Sequence, residues 1–257
     1  MIKLPFLGGK RASDTASRAV EVGWLLDAET VTFIWEAPRR LTRTEPAPGH
    51  AKAVNYCPAV LDHESRLFEV LCPIDVNLGF RFDKNDRPAV INLDGEKSAI
   101  RPSALNEMLA IVGRNEWRHP DRPIIQFVTP YLFVADEPVY LAQFPPFTGY
   151  NMNEWPGVLI GGRFPIHVWL RQMMWGFEWF DTTKPLSLRR GDPWFYVRFE
   201  TTDPSRPVRL VEAEWTPEMR EYQKGATTVA NYMNRTFSLF KVAEQRRPKT
   251  LLKRKAR

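Results

Sequence analysis

Two histidines and an aspartate are the residues of this chain best suited to holding a catalytic metal. His119-Pro120-Asp121 is followed by His167, 46 residues beyond the aspartate. Two imidazoles and one carboxylate can occupy three sites on one side of iron(II) and leave the others open for oxygen chemistry. The same tripeptide suits an exposed loop, because its middle residue is proline and Arg118 and Arg122 flank it. On that reading His119 is a surface residue, and His167 is a strand residue satisfied by a neighbour.

Other constellations carry less chemistry. Asp136-Glu137, Glu178 and Asp181 lie among aromatics, as in sites that cleave sugars with paired carboxylates. Their spacing does not set two of them face to face. Glu178 and Asp181 read as the solvent side of a strand and the turn after it, and Asp136-Glu137-Pro138 reads as a tight turn. Arg190-Gly191-Asp192 is an integrin-ligand tripeptide, but Gly-Asp-Pro is also ordinary turn chemistry. Trp155, Trp169, Trp175, Trp179 and Trp194 exceed what a small sandwich core usually needs. Such rings on a sheet face stack on sugars or bases, or anchor a protein partner. Between two sheets they simply fill the core. No Cys/His set has zinc spacing, no Gly-x-Ser-x-Gly elbow is present, and no glycine-rich phosphate loop opens a helix.

The elements that must position these residues are mostly short strands. Residues 30–35 (TVTFIW), 67–71, 77–82 and 89–93 are rich in β-branched and aromatic residues and end at turn residues. Nine more such runs lie over 124–128, 131–135, 139–144, 158–161, 165–170, 176–180, 186–188, 194–200 and 208–212, with strict alternation from Trp194 to Phe199. Gly161-Gly162 reads as a two-residue hairpin turn. Spacings of about 8 to 12 residues with Gly and Pro between them predict a β-sandwich or jelly-roll-like double sheet. Ser103 to Val112 reads as a helix capped by Ser103 and stopped by Gly113. After Thr216-Pro217, Met219, Tyr222, Ala226, Val229, Met233, Phe237 and Phe240 recur at steps of three and four, which predicts one long amphipathic helix. The fold class expected is therefore β-rich α+β. Residues 1–240 form one domain, and 241–257 form a flexible basic tail.

The 257 residues carry 36 Lys+Arg against 30 Asp+Glu, a net charge of +6. Residues 241–257 hold eight of those cations and one acid, so the body is close to neutral. Any affinity for nucleic acid or an acidic surface therefore belongs to the tail, through Arg246, Arg247, Lys249, Lys253, Arg254, Lys255 and Arg257. No apolar run is long enough to span a membrane, and no secretion signal is read. Cys57 and Cys72 read as buried, reduced thiols, each before a proline. The expected setting is the cytoplasm, or a virion assembled there.

The His-x-Asp…His pattern on a jelly roll resembles the iron/2-oxoglutarate oxygenases. That resemblance implies iron(II) with 2-oxoglutarate on His119, Asp121 and His167. It also implies a downstream cation for the cosubstrate carboxylate, but Arg171 follows His167 too closely and Arg189 rather late. The stretches NEWRHPDRPIIQF, PYLFVADEPVYLAQFPP, GGRFPIHVW, MMWGFEWFDT and LRRGDPWFYVRFE resemble a bacterial and phage family known only as a domain of unknown function. That resemblance covers about a third of the chain, implies no site, and favours one β-rich domain in a phage or assembly context. The leading expectation is a non-catalytic binding or assembly protein that meets a protein partner or itself. The oxygenase and the tail-mediated nucleic-acid binder are the alternatives.

Overall fold

The computed structural model describes residues 19–28, 32–42, 49–50, 52–148, 154–227, 229, 233 and 236–256. The strands are β1 (Val20–Leu26), β2 (Arg39–Arg40), β3 (Leu67–Leu71), β4 (Val76–Phe82), β5 (Pro88–Asn92), β6 (Leu109–Ile111), β7 (Ile124–Val128) and β8 (Tyr131–Val134). They continue with β9 (Val139–Phe144), β10 (Gly157–Leu159), β11 (Arg163–Pro165), β12 (Met174–Trp179), β13 (Leu186–Leu188), β14 (Pro193–Thr201) and β15 (Val208–Glu212). Among the described residues four short α-helices accompany them: α1 (Pro58–Ser65), α2 (Pro102–Met108), α3 (Pro217–Ala226) and α4 (Phe240–Arg246).

The strands form four sheets, in the orders β15-β1-β8, β10-β12-β7-β6, β11-β9-β14-β3-β2 and β13-β4-β5. All described pairings are antiparallel except β1 with β15. The arrangement is β-rich and sandwich-like. Alternation along each strand sends every second side chain inward. Trp175 and Phe177 of β12 stack at 5.2 Å, and Trp194 of β14 packs on Trp175 at 5.6 Å and on Phe127 of β7 at 5.7 Å. Phe133 of β8 meets Phe199 of β14 at 5.4 Å, joining the first sheet to the same core.

In the sheet β15-β1-β8, strands β1 and β8 carry buried residues on both faces. Val20 and Val22 face the main core, whereas Leu25, Leu132 and Val134 face a smaller cluster built with Met219 of α3 and Leu251. Gly23 sits under that second layer, where a Cβ would lie 2.9 Å from Val134 and 3.2 Å from Leu252.

The structure corrects several sequence expectations. The long C-terminal helix is not formed, because α3 ends at Ala226 and Thr227 is extended. Thr227 turns the chain there, with both its N–H and its Oγ1 donating to Gln223 O at 2.9 Å. The side chain of Phe237 lies outside the described residues. The region expected as a strand over 30–35 forms a short 3-10 turn at Thr32–Ile34; residues 30 and 31 lie outside the description. The helix expected over 103–112 is α2, capped at Arg101, and it stops at Met108 because Leu109–Ile111 pairs with β7. Gly113 has φ −57° and is no left-handed stop. Gly161-Gly162 is not a hairpin turn, since β10 pairs with β12 and β11 with β9. Helix α1 went unread in the sequence.

The tail is not a free arm either. Leu251 is 1% exposed, and Asp136 Oδ1 accepts from Leu251 N at 2.7 Å. Arg247 donates to His167 O at 2.5 Å and to Asp136 O at 3.0 Å. Arg254 pairs with Glu21, Lys253 with Glu214, and Lys255 with Glu212. Each tail cation paired in this way is less available to phosphates. Arg246 faces a cavity beside α3, Lys249 is exposed, and Arg257 lies outside the described residues.

Candidate functional site

The residues expected to hold a metal do not assemble. His119 and Asp121 share an exposed turn, their side chains 3.9 Å apart, with Asp121 N donating to His119 Nδ1 at 3.2 Å. His167 lies in a turn after β11, not in a strand. Its Nδ1 faces the Val139 backbone, 3.0 Å from O and 3.2 Å from N. Among the described residues no group of three His, Cys, Asp or Glu is placed to hold a metal ion.

The tryptophans expected as binding surface are largely core. Trp175, Trp179, Trp194 and Trp169 are buried, and Trp155 is half-buried with its ring edge on Trp175 at 5.6 Å. Glu178 is also buried, with Arg118 at 3.5 Å, and is not the solvent-facing residue expected. Arg190-Gly191-Asp192 is a turn, with Gly191 at φ +84° and bonded through its N–H to Cys72 O. Cys57 and Cys72 are free thiols, but only Cys72 is buried as expected, whereas Cys57 is half-buried; burial pushes the Cys72 pKa up to about 12.

Three concavities have polar residues in their lining. One, about 640 Å³, lies beside α3 and α4 with Glu218, Glu221, Tyr222 and Arg246. Of the other two, the larger, about 560 Å³, is walled by Arg40, Arg66, Arg198 and Arg206 with Asp62 and Glu200. Every one of these cations is engaged. Arg40 donates to Val208 O at 2.8 Å and lies over the Phe68 ring. Arg66 meets Asp62 at 3.0 Å and Pro204 O at 2.8 Å. Arg198 holds Glu200 at 2.8 Å, and Arg206 holds Glu137 at 2.5 Å.

The smaller cavity, about 320 Å³, lies where β7, β9 and β12 meet the Gly161-Gly162 segment and the first residue of α4. Its size is near the lower end of ordinary ligand pockets. Gln143 lines it. Alternation puts Gln143 on the side of β9 shared by Val139 and Leu141, both fully buried. Gln143 is itself only 7% exposed, and its Nε2 is buried without a hydrogen-bond partner. Buried polar groups are nearly always paired, so such an amide marks a place where a partner is expected.

The walls hold Gln143 in place. Its N–H donates to Gly162 O at 2.8 Å, and Gly161 packs so tightly that a Cβ there would lie 2.6 Å from Gln143 O. Arg171 stands on the same cavity. The residue is exposed overall, and partial desolvation by its neighbours lowers its guanidinium pKa. Among the described residues Arg171 has no ion-pair or hydrogen-bond partner. Arg163, the other cation of the lining, is held by Glu200 at 2.6 Å and lies over the Tyr140 ring. Trp169 and Phe240, packed at 5.0 Å, close one wall. No Asp, Glu, His, Cys, Ser or Tyr is among the described lining residues.

The sequence held one signal of this site that went unread. In Val139-x-Leu141-x-Gln143 a polar amide occupies a core position of an alternating strand. Arg171 entered the sequence reading only as a poorly spaced cosubstrate anchor, and the glycine pair only as a turn. The chain matches no family model and no curated protein, so the site must be read from its own residues.

Proposed function

We propose that this protein is a non-catalytic binding protein and that it takes a small ligand in the cavity lined by Gln143 and Arg171. The observation that carries this reading is the unpaired Gln143 amide in a cavity that also holds an uncommitted guanidinium. An unpaired buried donor costs about 1–3 kcal/mol in the free protein, a cost that a ligand accepting its hydrogen bond removes. The described lining offers donors and apolar surface but no nucleophile and no general base, which supports binding over catalysis.

Thermal unfolding of Gln143→Leu tests the reading. Leucine fills nearly the same space without a donor, so the ligand-free variant is expected to be more stable than the parent. A variant less stable than the parent means that the amide already has a structural partner, and the reading fails.

A further inference from the structure

We propose that this cavity takes a small monocarboxylate with an apolar body, its carboxylate received by the Arg171 guanidinium and the Gln143 amide. The inference rests on the binding reading above and names the ligand class for the same site.

The charge of the lining sets the charge of the ligand. Arg163 is held by Glu200, a carboxylate it shares with Arg198, and no carboxylate lines the cavity among the described residues. Arg171 is therefore the one lining cation left without a counter-ion, and it is partly desolvated. A single negative charge balances it, whereas a phosphate dianion would bring a second charge that Arg163, already held by Glu200, is not free to meet. A neutral ligand could satisfy Gln143 but would leave the guanidinium without its counter-ion.

The donor geometry favours a planar acceptor. A guanidinium presents paired N–H groups that match the two oxygens of a carboxylate. The Gln143 Nε2 adds a neutral donor, and among the described residues no lining acceptor is buried without a partner. The body of the ligand meets Ile160, Phe164, Trp169, Met173, Met174 and Phe240. Those walls are apolar, and methionine side chains adapt to the shape placed against them. The volume of about 320 Å³ limits the ligand to a small acid such as an aryl-acetate or a branched acyl acid.

The larger arginine groove carries no such inference, because each of its cations already has a partner. Trp194 Nε1, the other buried unpaired atom among the described residues, lines none of the three concavities.

Titration calorimetry of the full chain with phenylacetate, phenylacetamide and inorganic phosphate tests the proposal. Phenylacetate is expected to bind at one saturable site. Arg171→Met is expected to weaken it about tenfold or more, and Gln143→Leu by about threefold or more, as lost charged and neutral hydrogen bonds imply. Phenylacetamide is expected to bind at least about tenfold more weakly than phenylacetate, and phosphate not to compete. Arg171→Lys, which keeps the charge and loses the paired donors, serves if Arg171→Met unfolds, and it is expected to show an intermediate loss. The ligand class is overturned if phenylacetate does not bind, if Arg171→Met binds it as well as the parent, or if phosphate displaces it. Phenylacetamide binding that requires Gln143, without phenylacetate binding, overturns the ligand class and leaves the cavity as a binding site. Failure of every probe, with Gln143→Leu also less stable than the parent, overturns both readings.

Discussion

The arginine groove and the Gln143 cavity lie on the two ends of one chain of contacts, joined by Glu200, which Arg198 holds from the groove side and Arg163 from the cavity side. The groove is larger and far more charged, yet its arginines close on carboxylates, on backbone carbonyls and on the Phe68 ring. The cavity is smaller and mostly apolar, yet it leaves one amide and one guanidinium without partners among the described residues. Charge density alone would choose the groove as a site. Hydrogen-bond accounting chooses the cavity, because a satisfied ion pair gains little by exchanging one partner for another.

The difference can be sharpened by substitutions on each side. Gly161→Ala is expected to have the largest effect, a loss of about 2–3 kcal/mol in denaturant unfolding. A methyl group there meets the Gln143 carbonyl oxygen, which is backbone and cannot rotate away. Gln143→Leu is expected to have the opposite sign, a gain of about 1–2 kcal/mol in the same measurement. Glu200→Gln, in the groove, is expected to lose about 1 kcal/mol, because two guanidinium groups then share a neutral acceptor. Arg66→Ala at the groove rim is expected to have the smallest effect in the same measurement, because its pair with Asp62 is exposed and its remaining bond is to the Pro204 carbonyl. Equal losses for Gln143→Leu and Glu200→Gln would erase the contrast between the two regions.

Acid separates the regions in a further way. Hydrogen bonds from Arg163 and then Arg198 hold the Glu200 carboxyl below the ordinary glutamate range. A depressed folded-state pKa gives stability that is fully present above the unfolded value of about 4.3. That stability is lost as pH falls through the lower folded value. The stability difference between the parent and Glu200→Gln is therefore expected to shrink as pH falls from 5 to about 3. The difference for Gln143→Leu is expected to stay constant over the same range, because an amide does not titrate there. Urea unfolding at successive pH values reads both.

The strands were largely legible because alternation and turn residues act locally. The runs over 67–71, 124–128, 139–144, 186–188 and 208–212 became strands with the same bounds. Helices that depend on their surroundings were less legible. The apolar stripe after Met219 continues in sequence through Val229 and Met233, but β-branched Thr227 leaves the helix and bonds back to Gln223. Leu109 fits the helical face of α2 equally well, yet the open edge of β7 draws it into a strand. The tail looked like solvated charge because the acids that hold it, Glu21, Glu212 and Glu214, are some 40 residues or more away in sequence.

The candidate site was legible only in fragments. Its parts come from β7, β9, the Gly161-Gly162 segment, Arg171 and α4, which no motif spacing joins. The His119, Asp121 and His167 pattern looked stronger because all three residue types are metal ligands, but His167 turns its Nδ1 to the Val139 backbone. A lone Gln at a core position of β9 carries more information once the burial of its neighbours is known.

The most direct test of the ligand cavity is the side-chain amide resonance of Gln143 in a nitrogen–proton correlation spectrum, assigned by its loss in Gln143→Leu. Without ligand, its protons are expected to show no hydrogen-bonded shift, and adding phenylacetate is expected to move them downfield as the carboxylate accepts from Nε2. A resonance already shifted in the free protein and unmoved by phenylacetate would contradict the account.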